Sequence, residues 1–205
     1  MAEDPANVAV ILRYVRETGP VSIQSADGLT PTRLLQSQLR DAGANVIDLT
    51  ELSAQFQTLM FNSLACPVVD GETRACRDAV DYSQAAVRIV AGLKENAREA
   101  ETYAPHLAPL RDCGGVLLIG EIASAPDPSR RDANRVEINW FAKDFAKLTD
   151  VDQGVDSRTA SFSAAAGRPE ILAEKVAVKA LAADAARRVM QKIKQSDHYG
   201  NCGAG

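Results

Sequence analysis

Apolar residues in the first quarter of the chain predict a strand, a helix and a second strand. Residues 8–15 form a nearly continuous apolar run rich in β-branched side chains, which is typical of a buried strand. Thr30 and Pro31 are a favourable cap and first position for a helix, and Gly43 marks its end. Residues 45–49 follow as a strand. This order indicates a crossover unit on a sheet.

The second half of the chain predicts a meander of three strands. Residues 116–122 are apolar and are expected to form a central strand, followed by a polar loop at 125–132. Residues 136–143 alternate between apolar and polar side chains, so one face of this strand is buried. We expect a turn at 150–154 and a hairpin partner at 157–164.

An amphipathic helix is predicted to close the fold. It begins near Pro169, with Glu170 placed favourably for the helix dipole. Its apolar positions recur with helical spacing at Ile171, Val178, Leu181, Ala182, Ala185, Val189 and Ile193. The predicted fold class is therefore α/β (α+β), with a mixed sheet, a C-terminal antiparallel meander and helices packed on the sheet.

We expect one domain over residues 1–195 and a flexible tail over 196–205. The domain contains an insert at about 52–110, with helical patterns at 50–61 and 80–100 and a cysteine-containing loop between them.

Charge and hydropathy exclude two classes of function. The net charge of −4 leaves no basic footprint for nucleic acid. No apolar run approaches the roughly 18 residues needed to span a bilayer. The first residues are acidic and lack a hydrophobic segment, so no signal peptide is predicted. A cytoplasmic protein and an envelope protein whose signal peptide has been removed both stay open.

Four cysteines bear on the compartment. Cys66 and Cys76 flank a turn at Asp70-Gly71, and we predict a disulfide between them. Such a bridge would stabilise the fold by about 2–3 kcal/mol and would indicate an oxidising compartment, which in a bacterium is the periplasm. Two unrelated buried thiols are the alternative. Cys113 and Cys202 could pair with each other or remain free.

Candidate chemistry is sparse. Neither histidine, His106 or His198, lies beside a nucleophile motif, and no ligand cluster has metal-site spacing. We therefore predict that the chain has no catalytic residue, metal or cofactor and that it is not an enzyme. The best binding candidates lie in and before the loop after the central strand, because long loops carry function: Glu121, Asp127, Arg130, Arg131 and Asp132.

The order of these elements resembles a group of bacterial envelope domains. The segment 34–48, the strands at 115–122, 136–147 and 159–164, and the Ala-rich helix at 177–193 are arranged as in the curli-secretion lipoprotein family. They are also similar to the N-terminal domain of the Tol–Pal translocation protein B and to the flagellar assembly protein T family.

The resemblance implies a non-enzymatic scaffold or accessory component of a secretion, pilus, flagellar or surface-polymer machine. Its partners would be other subunits of the machine or further copies of itself. Its location would be the periplasm, either free or associated with the outer membrane. A soluble ligand-binding protein or enzyme using the region 121–137, and a cytosolic adaptor, are the alternatives.

Overall fold

The computed structural model describes residues 5–16, 31–48, 108–112, 114–147, 149–162 and 170–196. These residues form a five-stranded mixed sheet in the order β2-β1-β3-β4-β5, with two long helices packed against it. The elements in chain order are β1 (Asn7–Arg16), α1 (Pro31–Asp41), β2 (Asn45–Ile47), β3 (Val116–Pro126), β4 (Ala133–Asp144), β5 (Asp150–Ser161) and α2 (Glu170–Gln195). The predicted fold class is confirmed.

The parallel half of the sheet contains the predicted crossover. Strand β1 pairs in parallel with both β2 and β3. Helix α1 ends where Gly43 takes a φ of 93°, a conformation that glycine adopts without a Cβ penalty. The Ala44 N–H then bonds the Leu39 carbonyl at 2.9 Å and the Gly43 N–H bonds the Arg40 carbonyl at 2.9 Å. This pair of bonds is a Schellman motif, which returns the chain directly into β2.

The antiparallel half is the predicted meander, but its second turn lies earlier than expected. Strands β3, β4 and β5 pair in succession. The expected turn at 150–154 was wrong, because β5 already begins at Asp150. The chain reverses just after β4, where Asp144 Oδ1 accepts the Ala146 and Lys147 N–H groups at 2.9 and 2.7 Å. A register shift between Ala142 and Lys143 marks a β-bulge beside this turn.

The main core lies between one face of the sheet and the two helices. Alternate residues of β4 face it, as the period of two predicted. Every described position of the predicted stripe of α2 is buried there as well: Val178, Leu181, Ala182, Ala185, Val189 and Ile193. The other face of the sheet is also buried along its centre, at Ala9, Ile11, Leu117, Ile119 and Ala123. Strand β3 is therefore buried on both faces, which confirms its predicted central position.

Within the described residues, no helix is long and apolar enough to cross a membrane. Several predictions lie outside the described residues: most of the insert at 52–110, the cysteines 66, 76, 113 and 202, both histidines, and the tail beyond Ser196.

Candidate functional site

The candidate site lies along one margin of the sheet, where β5 meets α2. Among the described residues, β5 pairs only with β4, so it is an edge strand. Helix α2 packs over β4 and β5. Ala160 of β5 is buried towards the helix. Its two neighbours in the strand, Thr159 and Ser161, are exposed on the opposite face of the sheet.

The outward side of β5 presents the backbone groups that do not bond to β4. The Phe162 N–H donates to the Asp132 carbonyl at 2.9 Å, and the same register continues to Asp152. Because hydrogen-bonded pairs alternate in an antiparallel ladder, the even-numbered residues from 152 onwards bond to β4. The N–H and C=O groups of Gln153, Val155, Ser157, Thr159 and Ser161 therefore point away from β4. The Gln153 carbonyl accepts a hydrogen bond from Arg188 at 3.4 Å.

A groove of about 650 Å³ runs between this strand and α2. It is lined by residues 158–161 of β5 and by Leu172, Val176 and three alanines of α2. Leu172 is 52% exposed and Val176 is 64% exposed, and these two side chains lie one helical turn apart. Val155, on the other face of β5, is 57% exposed. We call the outward side of residues 153–161, together with Leu172 and Val176, the edge surface.

A buried polar cluster fixes the first turns of α2 to the sheet. Glu174 Oε1 accepts hydrogen bonds from Ser124 Oγ at 2.7 Å and from Asn134 Nδ2 at 2.5 Å. Asn134 Nδ2 also lies 2.8 Å from Glu170 Oε1. Ser124, Asn134 and Glu174 are all buried. These bonds hold the start of α2, and with it the adjacent Leu172 and Val176, in place over β3 and β4.

An ion-pair network ties the middle of α2 to β5. The Asp184 carboxylate accepts a hydrogen bond from Arg158 at 2.5 Å and another from Arg187. The Arg158 hydrogen bond, reinforced by that of Arg187, holds the pKa of Asp184 below its usual value. Arg158 therefore has a fixed position at the mouth of the groove, with its side chain still half exposed.

A second arginine joins α2 to β4 and β5. The Arg188 guanidinium lies 5.0 Å from the centroid of the Trp140 ring, within cation–π range. Its nitrogens lie 4.0 Å from Asp152 and 3.9 Å from Asp156. Trp140 Nε1 also donates to Asp152 at 3.4 Å. These contacts hold β5 and α2 together along this edge of the sheet.

The structure separates the residues predicted to bind. Asp127, Arg130, Arg131 and Asp132 lie together in the exposed hairpin between β3 and β4. Glu121 is buried, 5% exposed, within β3. It lies six residues before Asp127, about 20 Å along an extended strand. The geometry therefore does not favour a single ligand or catalytic site formed by Glu121 and the hairpin.

The hairpin itself is a solvated tip closed by its own hydrogen bonds. Asp127 Oδ1 accepts the Ser129 hydroxyl at 2.6 Å and the Ser129 N–H at 2.9 Å, which lowers the pKa of Asp127. Arg130 lies 3.5 Å from Asp132. Whether these four residues bind a partner stays a prediction. Within the described ranges, no three His, Cys, Asp or Glu side chains are grouped as metal ligands would be.

Comparisons with known proteins give distant similarities of structure. No family model and no curated protein sequence matches this chain. It is similar to the hypothetical protein CT253 from Chlamydia trachomatis, with 11% identity and a TM-score of 0.46 over 91% of this chain and 99% of that one. It is also similar to a dodecameric PelC variant from Paraburkholderia phytofirmans, with 12% identity and a TM-score of 0.41 over 93% of this chain and 89% of that one.

The C-terminal domain of LpoB from Salmonella enterica is also similar, with 9% identity and a TM-score of 0.35 over 77% of this chain and 84% of that one. Identities of 9–12% and TM-scores below 0.5 assign no function to this chain.

Sequence reasoning missed the edge surface. The apolar stripe of α2 was predicted without Leu172 and Val176. Their spacing of four residues on a different side of the helix was a usable signal for a second apolar face. Val155 was placed near a predicted turn rather than on the outer strand.

Proposed function

We propose that this chain is a non-catalytic accessory component of a bacterial envelope machine and that it acts by docking onto protein through the edge surface. The observation that carries the docking role is a strand edge that no described strand covers, beside exposed apolar side chains. Edge strands usually carry protection against pairing, such as proline, lysine or a bulge. Residues 152–161 contain no proline or lysine, and the bulge lies at the start of β5, before this stretch. Its charged side chains are two aspartates and one arginine, which a strand of complementary charge can pair with.

The geometry of the edge surface suits strand addition. In that mode of recognition, backbone hydrogen bonds supply affinity and alternate side chains enter neighbouring pockets. The outward backbone groups of β5 can form the hydrogen bonds, and the groove beside Leu172 and Val176 can receive the side chains. The buried cluster at Glu174 and the Arg158–Asp184 pair hold both walls of the groove, so little ordering is needed on binding.

The envelope setting is supported by the order of elements, which resembles the envelope domains named above. The periplasmic location and the Cys66–Cys76 bridge belong to the same proposal. Alkylation of the chain in intact cells and after lysis tests the location, because periplasmic protein is oxidised at these cysteines before lysis. Free thiols at both positions in protein from its native compartment would contradict the envelope setting.

Site-specific photocrosslinking tests the docking role. A photoreactive benzoylphenylalanine at position 176, in the full chain expressed in its own host, is expected to give discrete protein adducts. The matched control carries the same group at Lys192, which is exposed near the other end of α2. Equal adduct patterns at the two positions, or none at 176, would contradict docking through the edge surface.

A further inference from the structure

We propose that the partner of the edge surface is a second copy of this chain. Two β5 strands pair antiparallel about a two-fold axis at Ser157, and two five-stranded sheets become one continuous sheet. The inference rests on the proposed docking role and adds the identity of the partner and the register of pairing.

Backbone hydrogen bonding restricts the possible registers. Only the odd-numbered residues of β5 direct their N–H and C=O groups outward, so odd residues must oppose odd residues across the new interface. An axis at Ser157 meets this condition. It places Gln153 opposite Ser161 of the second copy, and Val155 opposite Thr159 of the second copy.

Charge disfavours the two neighbouring registers. With the axis at Ser157, Asp156 lies opposite Arg158 of the second copy, and the reciprocal pair forms on the other side of the axis. An axis at Arg158 would oppose two arginines, and an axis at Asp156 would oppose two aspartates. Like charges directly opposite each other destabilise strand pairs, and opposite charges stabilise them. The Ser157 register is therefore complementary to itself, as an isologous interface must be.

Both side chains of this pair are accessible, although Asp156 also lies 3.9 Å from Arg188 of its own chain. Asp156 is 37% exposed and Arg158 is 49% exposed on the helix-covered side of the sheet. Arg158 already binds Asp184, but a guanidinium carries five N–H donors and can bind a second carboxylate. Asp184 also holds Arg158 at the strand, which reduces the side-chain entropy lost when the second carboxylate arrives.

Apolar contact adds to the same register. Val155, more than half exposed in the described chain, is covered by the β-branched Thr159 of the second copy. On the helix side, Leu172 and Val176 stand beside residues 158–161, the half of β5 that opposes residues 153–156 of the second copy. Both faces of the joined strands therefore lose exposed apolar surface on pairing.

Charge reversal with mixing tests the register. The full chain is expected to sediment with twice the monomer mass of 21.9 kDa. Asp156→Arg opposes two arginines and Arg158→Asp opposes two aspartates, so each variant alone is expected to dimerise at least tenfold more weakly. An equimolar mixture of the two restores opposite charges at both positions and is expected to recover the dimer. Circular dichroism checks that each variant is folded.

Cysteine cross-linking tests the axis independently of charge. In the Ser157 register the two residues at 157 are a directly opposed pair, with Cα atoms about 5.5 Å apart, which a disulfide can span. Under mild oxidation Ser157→Cys is expected to give a covalent dimer beyond the level of the unmodified chain, and Thr159→Cys is not. A covalent dimer from Thr159→Cys alone would overturn the register.

The two proposals fail in different ways. A full chain that stays monomeric from 1 to 100 µM, with adducts to another protein at position 176, would overturn self-pairing and leave the docking role intact. A monomer without such adducts would overturn both. A dimer that is unaffected by either charge reversal would overturn pairing through β5.

Discussion

The indole ring of Trp140 packs directly against Gly154, its partner on the neighbouring strand. A Cβ built on Gly154 would lie 2.3 Å from Cζ2 of that ring, far inside van der Waals contact. Glycine is therefore required here by the ring, and the strand continues through it rather than turning. This arrangement, in which an aromatic side chain covers a strand glycine, compensates for the packing that glycine lacks.

Gly154→Val should destabilise the fold by about 1–3 kcal/mol, because the new side chain displaces the ring from its site under Arg188. Trp140 is the single tryptophan, so its fluorescence reports directly on this site during urea unfolding. Gln153→Ala, an exposed change one residue away, should shift the free energy of unfolding by less than about 0.5 kcal/mol. Equal effects from the two variants would contradict the packing argument.

Asp184→Asn should destabilise the protein in a pH-dependent way. The pKa of this carboxyl is lowered in the folded state, so its contribution is fully present above the unfolded value of about 3.9. It is lost as the pH falls through the lower folded value. We expect a gap of about 1 kcal/mol from wild type at pH 6–7 that closes below about pH 4.

Urea titrations at a series of pH values measure this gap. The exposed Asp132→Asn, next to Arg130, is the control and should show little difference from wild type at any pH. A gap for Asp184→Asn that widens in acid would contradict the direction of the pKa shift.

Glu174→Leu should cost about 2–4 kcal/mol, since it removes the acceptor of the buried Ser124 hydroxyl and one of the two acceptors of the Asn134 amide. Glu174→Gln keeps an acceptor oxygen of the same size and should cost clearly less. Thermal unfolding of the three proteins provides the comparison. If the two variants were equally unstable, the charge of Glu174, and not its acceptor role, would be the stabilising property.

Two leucines of α2 should separate stability from docking. Leu181 is 1% exposed in the main core, so Leu181→Ala should destabilise the fold by about 2–5 kcal/mol. Leu172 is half exposed, and Leu172→Ala should cost less than about 1 kcal/mol while weakening contacts made through the edge surface. Chemical denaturation gives the first quantity and sedimentation the second. A large loss of stability at Leu172 would show that its side chain belongs to the core.

The predictable part of the fold is the part set by local patterns. The alternation from Val136 to Ala142 gave both the strand and its buried face, and Gly43 gave the end of α1. Gly154 was misassigned to a turn, because a lone glycine among aspartates is a turn signal. What overrides that signal is the ring of Trp140, fourteen positions earlier, and no local pattern encodes that contact.

The candidate site was less predictable for a related reason. Glu121 was grouped with the charged hairpin because it is close in sequence, yet strand geometry carries it away from the tip into the sheet. The role of β5 as an outer strand depends on the order of all five strands, which composition and spacing do not specify. Only the apolar pair Leu172 and Val176 left a signal in the sequence.

Strand β3 divides the folding of the chain into a fast and a slow part. On one side it joins β4 through a six-residue reversal, so that ladder closes with little loss of chain entropy. On the other side β3 pairs with β1, and paired residues such as Val8 and Val116 are about a hundred positions apart in the sequence. Closing a loop of this length makes the β1–β3 pairing slow. In pulse-labelled hydrogen exchange, amides bonded across the β3–β4 ladder should therefore gain protection during refolding before those of β1.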